Sequence, residues 1–251
     1  MDDAALEPFV AKWQAREPEM ITAEVFCPAH LRGRYRAWGA LLHELREAVF
    51  ELSDPRVIAA KSGWWAEELM GLGTGRSRHP VTATFIALPA PWPELGRCLL
   101  DASHAELRPA STNDAIQALL PAARAVVAVE AAVFAANASD EGVRALAVHW
   151  LLSRLPAGLA MEDRARIPMH LFARHGSITA SWETGPGQAL LKDWATELAA
   201  ALPANPDAAM FRRVRAAFDH TRLARLAAGK GHAEPPAMAT LWRAWRVARG
   251  R

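Results

Sequence analysis

The sequence predicts an all-α protein, on three observations. Apolar residues recur at three- and four-residue spacing, the signature of one buried helix face. No stretch alternates convincingly between apolar and polar side chains, as a half-buried strand would. Alanine, leucine, arginine and tryptophan dominate, and the breaks between periodic runs fall at proline and glycine. With no internal repeat and no long linker, residues 1–251 are expected to form a single helical domain.

Residues 4–16 and 19–27 read as short helices parted at Pro18. The next run, 30–52, is clearer: Trp38, Leu41, Leu42, Leu45, Val49 and Leu52 form one stripe, and Glu44, Glu47 and Glu51 lie opposite it. Ser53-Asp54-Pro55 stops that helix and starts another, with Ser53 or Asp54 available as the cap. Lys61 to Pro80, KSGWWAEELMGLGTGRSRHP, continues it, with Trp64, Trp65, Leu69 and Leu72 on adjoining faces and Glu67 and Glu68 turned away. It breaks over Gly71, Gly73 and Gly75 and restarts at His79-Pro80.

Residues 80–103 form two short helical pieces split by the prolines at 89, 91 and 93, and 104–112 read as a loop. The run 113–137 puts Ile116, Leu119, Leu120, Ala123, Val127, Val133 and Phe134 on one side, with Pro121 as a kink or the true start. Ser139 caps a helix ending near 155, with Asp140 and Glu141 complementing its dipole. A short helix follows Ile167-Pro168 and closes at Arg174-His175-Gly176. After a loop at 177–187, helices are expected at 187–202, 207–228 and 237–249.

Hydrophobic residues make up 51% and charged residues 22%, which suits a packed globule and argues against disorder. The net charge is only +2, so no nucleic-acid partner is expected from the whole-molecule field. Cys27 and Cys98 stand far apart without metal-ligand spacing, and MDDAALEP lacks a signal-peptide pattern; the expectation is a cytoplasmic protein. The apolar run from Ala125 to Ala136 contains Glu130 and is too short to span a bilayer.

Familiar catalytic motifs are missing. Gly71-x-Gly73-x-Gly75 follows a helix and lacks the lysine of a phosphate loop, there is no HExxH or GxSxG, and the nine histidines show no ligand spacing. Asp219-His220 reads as a capping or surface pair. Arg212, Arg213, Arg215, Arg222, Arg225, Arg243, Arg246, Arg249 and Arg251 lie near Trp242 and Trp245. Such a face either meets phosphates and anionic headgroups or is a solvated face of snorkelling arginines over core tryptophans. Two charges interrupt apolar stripes, Glu130 and Arg154; each must be paired internally, sit at an edge or serve a ligand.

The order basic residue, Trp64-Trp65, Glu67-Glu68-Leu69, glycine loop, His79-Pro80-Val81 resembles the squalene/phytoene synthase family. So do Arg154, Arg164 to Pro168, and Leu171 to Gly176; the likeness covers roughly residues 30–180. The resemblance implies an isoprenoid-synthase helical bundle. In that family two aspartate-rich motifs hold Mg²⁺ for condensing allylic diphosphates, because a diphosphate leaving group needs hard divalent cations on carboxylate oxygens. Here the second motif's aspartates fall at Leu155 and Leu159. The first falls on Arg46, Glu47 and Phe50, or, one residue along, on Glu47-x-x-x-Glu51. His43-Glu44-Leu45 with Ser53-Asp54-Pro55 is similar to a degenerate branch that includes a complex I assembly factor.

The resemblance therefore implies a pseudoenzyme without a cofactor or metal, binding an apolar isoprenoid- or lipid-like ligand or a protein partner, with peripheral membrane contact as a further option. Lys61, Trp65, Glu130 and Arg154 are its candidate ligand-binding residues. The alternative is an active Mg²⁺-dependent prenyltransferase using Glu44, Glu47 and Glu51 with Arg154 and Lys61. A basic module for nucleic acid or membrane surface is the third reading.

Overall fold

A computed structural model describes residues 3–104, 108–153, 155, 167–176, 185–230 and 236–250. All regular structure among them is helical. The N-terminal pair is α1 (Asp3–Arg16) and α2 (Pro18–Glu24), parted where Pro18 takes the first position of the second helix. Next come α3 (Arg32–Arg46), α4 (Pro55–Leu72), the single turn α5 (Pro80–Ala83), α6 (Trp92–Ser103) and α7 (Thr112–Phe134). The remainder is α8 (Asp140–Leu152), α9 (Met169–His175), α10 (Gly185–Ala201), α11 (Met210–Ala227) and α12 (Ala237–Ala248).

Most boundaries follow local chemistry that the sequence displays. Asp54 accepts from the Arg56 amide and Pro55 opens α4. Ser111 and Asp114 form a reciprocal capping box on α7, and Ser139 caps α8 through the Gly142 amide. Pro121 lies inside α7 rather than starting it. The run expected as one helix over 30–52 is instead a 3₁₀ turn at Ala29–Leu31, then α3, then a π-helical turn at Glu47–Glu51. A π turn widens the spiral, so the three glutamates do not form the single face that simple α periodicity gives.

The bundle closes around tightly fitted contacts. A Cβ on Gly96 would lie 2.9 Å from the Ala66 carbonyl oxygen, so glycine is what lets α6 lie against α4. A Cβ on Gly39 would lie 2.4 Å from the Trp13 ring, so α3 accepts the α1 tryptophan only because that position has no side chain. Trp13 in turn meets Tyr35 and Phe211, whose ring centroids are 6.0 and 6.1 Å away. By length and composition α7 could cross a bilayer. It serves here as a core helix, with Ile116, Val126, Val129 and Val133 buried among its neighbours.

The charge within the α7 stripe is an internal ion pair. Arg212 of α11 donates to both Glu130 carboxylate oxygens, at 3.2 and 2.7 Å, and the Trp38 indole donates to Glu130 Oε2 at 2.7 Å. Arg212 and Glu130 are each 1% exposed. Removing one partner of such a pair leaves a buried uncompensated charge, a loss of about 3 kcal/mol or more. Arg212→Met is therefore expected to lower the melting temperature by roughly 6–12 °C, and Arg212→Met with Glu130→Leu to recover most of that loss, measured by thermal unfolding.

Candidate functional site

The candidate carboxylates come from the end of α3 and the π turn. Contrary to a solvated acidic face, their side chains are largely enclosed: Glu44 is 11% exposed, Glu47 21% and Glu51 18%. Each is matched by a cation. Lys12 of α1 bridges Glu44 at 3.0 Å and Glu47 at 2.5 Å, and Lys61 of α4 donates to the other Glu47 oxygen at 2.8 Å. Glu51 turns away from the other two, toward Arg46 at 2.8 Å and Arg16 at 3.4 Å. Burial alone would raise the Glu47 carboxyl, but its hydrogen bonds to Lys12 and Lys61 outweigh burial and hold it at about 2.

His43, Glu44 and Glu47 bring ligand atoms within 4.8 Å of one another, the one grouping among the described residues with metal-binding geometry. Its donor set does not fit magnesium. Mg²⁺ takes an octahedron of hard oxygens, whereas this group offers an imidazole nitrogen and two carboxylates already sharing the Lys12 ammonium. Leu155, where the resemblance puts an aspartate of the second motif, is an aliphatic side chain 2% exposed in the core. Leu159 and Arg154 lie outside the described residues.

Behind the glutamates lies a deeper ionic network that the sequence did not disclose. Arg46 donates to Glu17 Oε1 at 2.8 Å; Arg215 reaches Glu17 Oε2 at 3.2 Å, Glu19 at 2.5 Å and Asp219 at 3.1 Å. His149 of α8 sits between Asp219, 3.0 Å from Nδ1, and Arg46, 3.4 Å from Nε2. Asp219 is thus no surface or capping residue, and Arg212 and Arg215 belong to no solvated face: all three are at most 1% exposed. Burial works against ionised Glu17 and Asp219. His149, Arg215 and Arg46 overcome it at Glu17, holding that carboxyl well below the usual range; Arg215 and His149 hold Asp219 low as well. Between Trp13, Glu17, Arg46, His149, Phe211 and Arg215 only about 10 Å³ of space remains.

The other candidates divide. Lys61 joins the glutamate cluster, while Glu130 is committed to Arg212 and Trp38. Trp65 is buried, with the rings of Trp64 and His79 as neighbours at 5.0 and 4.9 Å. Glu68, expected to turn outward, is instead 1% exposed. It accepts from the backbone amides of Arg78 and His79 and from the Thr82 hydroxyl, fixing the segment after the glycines. The sequence signal for this was the restart at His79-Pro80, which leaves amides needing an acceptor.

No family model matches this chain, and no curated protein does. Among solved structures, the squalene synthase HpnC from Alicyclobacillus acidocaldarius superposes with a TM-score of 0.50 at 13% identity, covering 98% of this chain and 94% of that one. A likeness at that identity shows the fold: this is an all-α, isoprenoid-synthase-like helical bundle.

The network makes acid stability a direct readout. Carboxylates held low when folded contribute stability that is complete above their unfolded values, about 4.5 for glutamate and 3.8 for aspartate, and is lost as pH falls toward the folded value. For Glu47 that window runs from about 4.5 down to about 2, and Glu17 and Asp219 act in the same sense. His43, pushed down by burial and by Arg46, adds a loss that begins below about 6.5. Chemical denaturation across pH is expected to show declining stability below pH 6.5 that steepens below 4.5, and Glu47→Gln is expected to flatten the lower limb.

Proposed function

We propose that the protein is a non-catalytic squalene/phytoene synthase-like bundle that works through its surface, by binding a protein partner, and does not transfer prenyl groups. The observation that carries this reading is how little space is left beside the buried ionic network. Sites for drug-sized ligands span roughly 300–1,000 Å³, whereas about 10 Å³ remains between Trp13, Arg46, His149 and Arg215. Those walls are charged as well as close, which disfavours an apolar isoprenoid chain there.

The state of the acids supports the same reading. Prenyl transfer starts by ionising a diphosphate, which calls for carboxylates free to collect divalent cations. In this chain Lys12, Lys61, Arg16 and Arg46 already neutralise Glu44, Glu47 and Glu51. A lysine ammonium supplies one fixed charge and no open coordination position, so no reaction step is assigned to these residues. The squalene synthase likeness then describes the scaffold.

The test is pyrophosphate release from farnesyl or geranylgeranyl diphosphate with Mg²⁺. The expected result is release at the no-protein background, unchanged by Glu47→Gln. Turnover above background that Glu47→Gln abolishes overturns the reading.

A further inference from the structure

The C-terminal helices carry a second feature, separate from the glutamate cluster and the buried ionic network. Between α11 and α12 runs an open groove of about 640 Å³, lined by Arg225, Lys230, Arg243 and Arg246 together with His220 and Thr221. No carboxylate is among the described residues that line it. Arg225 Nε and Arg243 Nη1 are both buried atoms without a hydrogen-bond partner. Four cations gathered without an acid, two of them holding unused buried donors, form a surface built to receive an anion.

The same helix shows where that anion comes from. α12 packs inward through Thr240 and Ala244, which are buried, against α11 and α2. Its outward stripe is Met238, Trp242, Arg246 and Arg249 at helical spacing, with Met238 75% and Trp242 55% exposed. Arg246 links the two features: it lines the groove, and its guanidinium lies 4.8 Å from the Trp242 ring. Arg249 lies over Trp245 in the same way, at 5.2 Å. An exposed tryptophan and methionine flanked by arginines is the composition of a helix lying at a membrane interface, rings toward the acyl boundary and guanidinium groups on phosphates. A site for a soluble anion has no use for the two apolar side chains.

We infer that α12 and the α11–α12 groove dock the protein on anionic phospholipid, with the headgroup phosphate held by Arg225, Lys230, Arg243 and Arg246, and with Met238 and Trp242 entering the interface. This surface lies apart from the glutamate cluster, so it stands whether or not prenyl transfer occurs. Partner binding would then take place at a membrane surface.

The test is flotation of the full chain with vesicles of phosphatidylcholine alone or mixed equally with phosphatidylglycerol, at low and high salt. Binding is expected only with phosphatidylglycerol, weakening steeply with salt. Arg246→Glu is expected to weaken it roughly tenfold. Trp242→Ser, at another exposed position, tests the apolar half of the surface and is expected to weaken binding without altering its salt dependence; unchanged melting temperatures check that both variants fold. Three results overturn the inference: equal binding to both vesicle types, binding of free pyrophosphate in titration calorimetry with no vesicle association, and tighter binding to duplex DNA than to anionic vesicles.

Discussion

The structure depends on one constraint: charges placed at the centre of a helical bundle must satisfy one another. Glu17 lies at the junction of α1 and α2 and takes a guanidinium from each side, Arg46 of α3 and Arg215 of α11. Asp219 and His149 extend the chain of contacts to α8. Any one of these groups alone in low dielectric would cost several kcal/mol. Together they fix how the N-terminal helices lie against the rest, because moving α1 or α2 would strand two arginines. Trp13, admitted by Gly39, completes the closure from the same helix.

That constraint has a functional consequence. An enzyme that ionises diphosphates needs carboxylates free to gather divalent cations. In this chain the cations are supplied by the protein itself, Lys12 and Arg16 from α1, Arg46 from α3 and Lys61 from α4. The glutamates are therefore not a solvent-facing decoration: each is partly enclosed and matched by a cation. They are one half of an internal neutralisation, in the place where the resemblance puts a metal site.

The fold was largely legible in the sequence. Helix existence, the caps at Asp54, Ser111 and Ser139 and the restart at His79-Pro80 are local chemistry, readable within a few residues. The internal pairing of Glu130 could be anticipated as a need, since a charge in an apolar stripe requires a partner, but nothing in the sequence singled out Arg212. The Glu17–Arg215 contact joins residues 198 positions apart. No pattern of spacing encodes such a pair, so Arg215 and Asp219 looked like surface residues. The π turn at Glu47–Glu51 was hidden for a related reason: its effect on which way Glu51 points is set by the partners Arg16 and Arg46, not by helical propensity.

The central claim, that an internal ammonium stands where a divalent cation would otherwise be gathered, is tested most directly by crystals soaked with Mn²⁺ and farnesyl thiodiphosphate. The account predicts the Lys12 ammonium bridging Glu44 and Glu47, with no anomalous peak between the two carboxylates. An ordered manganese ion bound by Glu44 or Glu47, with Lys12 displaced and the thiodiphosphate seated against it, would contradict it.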